Sequence, residues 1–139
     1  MRLFYHVELL RNDLGLAGTK VACSSGSCCA CTVLVNRKAV KSCSILALQV
    51  NRKSVLTIEG LADGDKLHPI QKSFIQNHGV ACGYCTLGMI LSAKALLDEN
   101  PNPTEQEVRQ VISDHLCRCG TYPKAIKSVL EAAKEMRGD

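Results

Sequence analysis

The chain has 139 residues, of which 46% are hydrophobic and 22% charged, and its formal net charge is +4. This length suits one ordinary domain or two small ones. The sequence contains no basic run and no basic face with interleaved aromatic residues, so its charge does not predict nucleic-acid binding. No apolar run approaches the roughly 18 residues of a membrane-spanning helix.

Cysteine is the unusual component, with nine residues in the chain. The first ten residues lack the pattern of a signal peptide, so we expect a cytoplasmic, reducing location where disulfides are rare. Clustered cysteines in such a compartment bind metals or carry out redox chemistry more often than they pair. An odd number of cysteines also fits poorly with complete disulfide pairing.

Residues 1–60 are predicted to be strand-rich after one short helix over 7–16. Thr32–Val35 is rich in β-branched residues and predicts a strand, and Asn36-Arg37 favours a turn because Asn tolerates a left-handed backbone. The tetrapeptide Val-Asn-Arg-Lys recurs at 50–53 before an apolar run at 55–58. We interpret the two copies as similar hairpin turns.

Residues 61–66 form a Gly- and Asp-rich linker, and residues 67–139 are predicted to contain four helices. Pro101 and Pro103 end the second helix, and Thr104 with Glu107 forms a capping box that opens the third. Pro123 lies in the first turn of the fourth helix. The predicted core faces are Ile70, Phe74 and Ile75 on a helix over 69–78; Ile90, Leu91, Leu96 and Leu97 on a helix over 88–99; Val108, Val111 and Ile112; and Ile126, Val129, Leu130 and Ala133.

A first cysteine quartet has the spacing Cys23-x4-Cys28-x2-Cys31, followed at a distance by Cys43. This is the plant-type [2Fe–2S] spacing, in which three thiolates come from one tight loop and the fourth from a separate segment. Small residues let the backbone wrap closely and direct amide groups at sulfur. The loop supplies them at Ser24, Ser25, Gly26, Ser27 and Ala30.

A second quartet combines Cys82-x2-Cys85 with Cys117-x-Cys119. Cys85 lies just before a predicted helix N-terminus, where free amides and the helix dipole favour a thiolate. Cys117 and Cys119 lie in the break before the last helix, with Arg118 adding local positive charge. Four ligands would therefore come from two loops at one end of a helical bundle.

Other chemistry remains open for these cysteines. A structural zinc site more often shows paired Cys-x2-Cys knuckles, and a thioredoxin-like Cys-x2-Cys pair lacks its usual βαβ setting here. Cys29 directly follows Cys28, so the two side chains point differently, and we interpret Cys29 as a buried or incidental thiol. No Cys-x-His pair suggests Rieske ligation. Surface or capping roles are the default for His6, His68, His78 and His115.

In their order along the chain, the two quartets resemble those of the iron–sulfur small subunits of molybdenum hydroxylases. This group includes xanthine oxidase, carbon monoxide dehydrogenase, aldehyde oxidoreductase and isoquinoline oxidoreductase. The resemblance extends from about residue 9 to residue 133. The stretches that carry it are Leu14 to Lys20, Cys28 to Val35, Thr57 to Leu61, Cys82 to Thr86, Asn100 to Thr104 and Leu116 to Cys119.

The resemblance implies an α+β protein with a plant-ferredoxin-like β-grasp domain, followed by an all-α four-helix [2Fe–2S]-binding domain. It implies a large subunit that holds molybdopterin and hydroxylates the substrate. Electrons would then leave one at a time through the clusters to FAD on a medium subunit, to a cytochrome or to another acceptor. Cys119 would approach the pterin.

Several positions depart from the family pattern. The family begins with a β-hairpin before its first helix, and only a short segment precedes that helix here. The chain is therefore a fragment, starts from a misassigned position, or has a sheet that lacks an edge. Ala22 and Cys29 replace glycines, Ala81 replaces a Gln that contacts the pterin, and Leu87 replaces a Pro. The segment from Cys117 to Tyr122 has the isoquinoline-type order.

We therefore expect an electron-transfer subunit with two clusters and no substrate chemistry of its own. One cluster would use Cys23, Cys28, Cys31 and Cys43, and the other Cys82, Cys85, Cys117 and Cys119. Each cluster with four thiolates adds a net charge of about −2, so two would bring the chain close to neutrality. The alternatives are a free-standing ferredoxin and a zinc-stabilised interaction module without redox activity.

Overall fold

A computed structural model describes residues 4–139. An α-helix, α1 (His6–Glu8), continues directly as a π-helical turn over Leu9–Asp13. This confirms the predicted opening helix, which begins one residue earlier than expected and ends before Gly15. Gly15 has a φ of +67°, a left-handed conformation that glycine adopts without steric cost. Leu14 lies within the predicted range but falls beyond the observed helix, and it is 58% exposed.

Three antiparallel strands form a small sheet in the order β2-β1-β3. Strand β1 (Thr32–Val35) lies in the middle and is buried along its whole length. It pairs on one side with β2 (Lys38–Lys41) and on the other with β3 (Val55–Leu56). Asn36 and Arg37 have φ values of 48° and 69°, which confirms the predicted turn between β1 and β2.

The second Val-Asn-Arg-Lys copy is not a hairpin, and that interpretation was wrong. Its first residue ends a 3₁₀ turn over Ala47–Val50, and only Arg52 in it has a positive φ, of 59°. The strand that follows it, β3, pairs with the central strand β1 and not with the segment directly before the turn. That strand ends at Leu56, because Ile58 begins a 3₁₀ turn over Ile58–Gly60. Identical short sequences thus fold differently where their pairing partners differ.

The helical half contains four α-helices between residues 69 and 137: α2 (Pro69–Gln76), α3 (Thr86–Glu99), α4 (Glu105–Ser113) and α5 (Tyr122–Arg137). The predicted capping box is confirmed. The Glu107 amide donates to Thr104 Oγ1 over 3.3 Å, and the Thr104 amide donates to Glu107 Oε2 over 2.7 Å. Helix α3 begins two residues earlier than predicted, at Thr86.

The main core lies among α2 to α5 and includes most of the predicted apolar faces. Its fully buried members include Ile70, Phe74, Met89, Val108, Ile112 and Val129. Ile75 was predicted on the core face of α2 but is 59% exposed. It follows Phe74 directly, and one helical step rotates a side chain by about 100° away from its neighbour's direction. No helix within residues 4–139 is long and apolar enough to cross a membrane.

The sheet half packs on the helical half through β1 and α3, with Leu34 of β1 in the main core, and the two halves also meet at the two cysteine loops. The Leu116 amide donates to the Cys28 carbonyl over 3.1 Å. The Tyr84 hydroxyl donates to the Val21 carbonyl. A Cβ at Gly88, near the start of α3, would lie 2.6 Å from the carbonyl oxygen of Cys29, so only glycine fits there without displacing backbone.

We expect Gly88→Ala to destabilise the protein. Alanine favours a helix over glycine by about 1 kcal/mol, but overpacking costs about 1–3 kcal/mol. The Cys29 carbonyl cannot easily move, because the amide and hydroxyl of Thr32 both donate to it, over 3.1 and 2.7 Å. Urea denaturation should therefore give a net loss of unfolding free energy.

The matched control is Gln110→Ala on the exposed surface of α4, which should change stability by less than about 0.5 kcal/mol. A Gly88→Ala protein as stable as the unsubstituted chain would contradict the proposed close approach.

Candidate metal centres

The first cysteine quartet lies on the loop before β1 and on the 3₁₀ turn after β2. Cys28, Cys31 and Cys43 are buried, and Cys23 is half-buried. The Cys43 amide donates to Cys31 Sγ over 3.4 Å, so the hairpin formed by β1 and β2 brings the distant fourth cysteine beside the third. We call these four residues the first centre.

Backbone amides surround the sulfur atoms of the first centre. The Ser25 and Cys28 amides both donate to Cys23 Sγ over 3.4 Å, and the Ala30 amide donates to Cys28 Sγ over 3.5 Å. Such donors stabilise anionic sulfur. The loop can present them because Ser24 and Gly26 have φ values of 53° and 78°, which turn the chain sharply around the sulfur atoms.

The sulfur environments within this centre differ. Hydrogen bonds from the backbone of Ser25 lead the causes that lower the pKa of Cys23 to about 5. Burial raises the pKa of Cys31 to about 11, and the neighbouring Cys43 thiol adds to the rise while its amide opposes it. A buried thiol of this kind ionises when a cation replaces its proton, which is the chemistry of a metal ligand.

Cys29 has the strained backbone expected for a residue that replaces glycine. Its φ is 63°, its side chain is 5% exposed, and burial raises the pKa of its thiol. The Thr32 hydroxyl and amide hold its carbonyl. Its backbone therefore forms part of the contact with α3, which is a role that the cysteine pattern alone did not reveal.

The second quartet lies at one end of the helical half. Cys85 is the N-cap residue of α3, and Cys82 precedes it. Cys117 and Cys119 lie between α4 and α5, as predicted. The Cys85 and Cys117 thiols are neighbours and buried, whereas Cys82 and Cys119 are exposed. We call these four residues the second centre.

The free thiols of the second centre do not follow the expectation that the helix N-terminus makes Cys85 a thiolate. Burial raises the pKa of Cys85 to about 12, and the neighbouring Cys117 adds to the rise. Burial also opposes ionisation of Cys117, but hydrogen bonds from the hydroxyl and backbone of Thr121 outweigh it and lower its pKa to about 7. Desolvation therefore dominates over the helix N-terminus at Cys85.

A short loop after α4 carries Cys117 and is held by Tyr122. The Cys117 amide donates to the Tyr122 phenol oxygen over 2.7 Å, and that hydroxyl donates to the His115 carbonyl over 2.8 Å. Thr121 Oγ1 lies 3.3 Å from Cys117 Sγ. Sequence reasoning missed both residues. The available signal was a pair of hydroxyl-bearing residues one position beyond the Cys-x-Cys motif, at the start of the last helix.

Two of the four histidines are not placed as their default roles suggested. His68 accepts a hydrogen bond from the Ile70 amide and caps α2, and His78 is exposed, so both fit the prediction. His6 and His115 are each only 2% exposed, so a surface role was wrong for them. His115 Nε2 lies 2.8 Å from Ser92 Oγ, and burial lowers its pKa to about 4.

The residues of both centres fit iron–sulfur clusters. Among residues 4–139, no three His, Cys, Asp or Glu side chains converge on a single ion. A two-iron cluster does not need such convergence, because each iron takes two protein ligands. The observed neighbours, Cys31 with Cys43 and Cys85 with Cys117, are pairs of this kind. Amides directed at sulfur suit such a cluster as well.

Comparison with known proteins agrees with this chemistry. The family model described as "[2Fe-2S] binding domain" matches residues 57–130. The nicotinate dehydrogenase small FeS subunit of Eubacterium barkeri is 45% identical over 128 residues, which span 92% of this chain and 82% of that protein.

Two solved structures share the fold. Quinoline 2-oxidoreductase from Pseudomonas putida 86 superposes with a TM-score of 0.86 and 42% identity, over 95% of this chain and 85% of that chain. Aldehyde oxidoreductase from Desulfovibrio gigas superposes with a TM-score of 0.92 and 37% identity, over 97% of this chain but 15% of that chain. The whole of the present fold thus occurs as one part of a longer enzyme chain.

These matches define the protein first as a [2Fe–2S]-binding α+β protein. More narrowly, the chain belongs to the iron–sulfur small subunits of the molybdenum hydroxylase family, as the two quartets predicted.

We expect Tyr122→Phe to lower the free energy of unfolding by about 1–3 kcal/mol, because it leaves the Cys117 amide and the His115 carbonyl without their partner. Chemical denaturation measures the change. Tyr5→Phe, at a ring that is 50% exposed, is the matched control and should cost less than about 0.5 kcal/mol. Equal stability of the two variants would show that the phenol does not hold the loop.

Proposed function

We propose that this chain carries two [2Fe–2S] clusters and passes electrons singly from a molybdopterin-binding large subunit to an acceptor. The first cluster would be held by Cys23, Cys28, Cys31 and Cys43, and the second by Cys82, Cys85, Cys117 and Cys119. Such a cluster supplies one-electron chemistry when bound. The acceptor would be FAD on a medium subunit, a cytochrome or another carrier.

The observation that carries this proposal is the pair of complete thiol quartets on facing loops. The Cys28 carbonyl accepts a hydrogen bond from the Leu116 amide, and Leu116 is bonded to Cys117. One hydrogen bond therefore joins the backbone of a first-centre ligand to the residue that precedes a second-centre ligand. An electron would have a short route through bonds between the centres.

Exposure at the second centre supports a partner on that side. Cys82 and Cys119 are exposed, and beside them Tyr84 is 45% and Leu116 71% exposed. Exposed apolar side chains around reactive groups suit a protein contact. The large subunit would cover this end, with Cys119 nearest the pterin. Ala81, also exposed here, would lack the pterin contact that a glutamine makes.

The proposal extends to the organisation of the chain. Residues 1–60 would form a β-grasp domain of the plant-ferredoxin type, 61–66 a linker and 67–139 a four-helix [2Fe–2S]-binding domain. The four helices between residues 69 and 137 and the small sheet support this division. The chain would perform no substrate chemistry itself, and a reducing cytoplasm would keep its thiolates available as ligands.

We expect anaerobically purified protein to contain about four iron atoms and four acid-labile sulfides per chain, because each cluster holds two of each. Iron and sulfide analysis with visible absorption measures the content. Colourless, iron-free protein containing zinc would instead support the zinc-stabilised module. Iron-loaded protein that never co-purifies with a large molybdenum-containing chain would favour the free-standing ferredoxin.

Cys117→Ser should remove one EPR signal of the dithionite-reduced protein and leave the other, because the two quartets share no residue. The matched control is Cys29→Gly, which removes the cysteine that belongs to neither quartet. It should keep both signals, because glycine adopts the positive φ at this position without steric strain. Loss of both signals in Cys117→Ser would contradict independent sites. Loss of a signal in Cys29→Gly would contradict the ligand assignment.

A further inference from the structure

We propose that the Thr121 hydroxyl tunes the reduction potential of the second centre by donating a hydrogen bond to Cys117 Sγ. This inference rests on the proposed function, because it requires a cluster on Cys117. It assigns a role to a residue that is not itself a ligand.

The geometry supports donation from oxygen to sulfur. Thr121 Oγ1 lies 3.3 Å from Cys117 Sγ, and Thr121 is only 9% exposed, so water competes poorly for the hydroxyl. A thiolate ligand carries no proton and can only accept. The hydroxyl proton must therefore point at the sulfur once Cys117 binds a metal.

Helix capping does not account for the contact between the Thr121 hydroxyl and Cys117 Sγ. Thr121 is the N-cap residue of α5, where a threonine hydroxyl ordinarily accepts from the first helical turn. Its side chain makes no capping hydrogen bond, in contrast to Thr104 at the start of α4. Within residues 4–139, Cys117 Sγ is the one hydrogen-bond partner of the Thr121 hydroxyl.

The loop is built to bring Thr121 back to Cys117. Gly120 has a φ of +69°, which reverses the chain, and its amide donates to the Cys117 carbonyl over 3.3 Å. The Cys117 amide is occupied by the Tyr122 phenol oxygen. These contacts fix the loop with Thr121 Oγ1 at 3.3 Å from Cys117 Sγ.

The first centre does not contact Thr121, so a change at Thr121 should affect the reduction potential of the second centre alone. The sulfur atoms of the first centre accept mainly from backbone amides, and none of them has Thr121 as a partner. A substitution at Thr121 should therefore move one potential and leave the other unchanged.

The sign of the effect follows from charge. Reduction adds one electron to the cluster, so a hydrogen-bond donor stabilises the reduced form more than the oxidised form. Removing the donor should lower the reduction potential. A hydrogen bond to a charged group contributes more free energy than one between neutral groups, so we expect about a tenfold change in the one-electron equilibrium constant. A tenfold change corresponds to about 59 mV in the reduction potential.

The test is an EPR-monitored redox titration of the iron-loaded holoprotein and its Thr121→Val and Thr121→Ser variants. The Cys117→Ser protein identifies which signal belongs to the second centre. Thr121→Val should lower the potential of that signal, while Thr121→Ser, which keeps the hydroxyl, should stay near the unsubstituted value. Thr104→Val makes the same exchange at a distant helix cap and should move neither potential.

The outcomes separate this inference from the function on which it rests. An unchanged second-centre potential in fully loaded Thr121→Val would overturn the inference and leave the clusters in place. Equal shifts in Thr121→Val and Thr121→Ser would also overturn it, because packing and not the hydroxyl would then set the potential. Absence of iron from the unsubstituted protein would instead refute the proposed function.

Discussion

The backbone carbonyls of Cys28 and Cys29 lie where the first cysteine loop contacts the helical half, beside the apolar contact between β1 and α3. One accepts a hydrogen bond from the Leu116 amide, and the other lies against Gly88, where a side chain would not fit. The left-handed backbone at residue 29 belongs to the turn that presents these carbonyls. This contact brings the loop of the first quartet beside Leu116, which precedes Cys117, and beside Gly88, which follows Cys85.

Burial and hydrogen bonding then determine what each sulfur atom does. Cys31 and Cys85 are desolvated, and the pKa values of their thiols rise to about 11 and 12. Donors from the loop lower the pKa of Cys23 to about 5, and donors from Thr121 help to lower that of Cys117 to about 7. Each quartet therefore contains one thiol whose pKa is raised by burial and one whose pKa is lowered by hydrogen bonds.

Local signals in the sequence predicted much of the fold, because its strongest elements are set by neighbouring residues. The turn at Asn36 and the capping box at Thr104 depend on a few adjacent positions, and both are confirmed. The exposure of Ile75 and the burial of His6 and His115 depend on what packs from distant segments. No local pattern contains that information.

The same distinction applies to the candidate centres. Cysteine spacing alone indicated the quartets, but the contribution of Thr121 appears only when Gly120 reverses the chain. The carbonyl that accepts from Leu116 has a further consequence for any attempt to separate the halves. Fragments separated after a cut within residues 61–66 would expose the Cys28 carbonyl, the surface of Gly88 that the Cys29 carbonyl covers and the apolar residues of β1 that pack on α3. Each half would therefore need the other to cover these surfaces, even with every cysteine present.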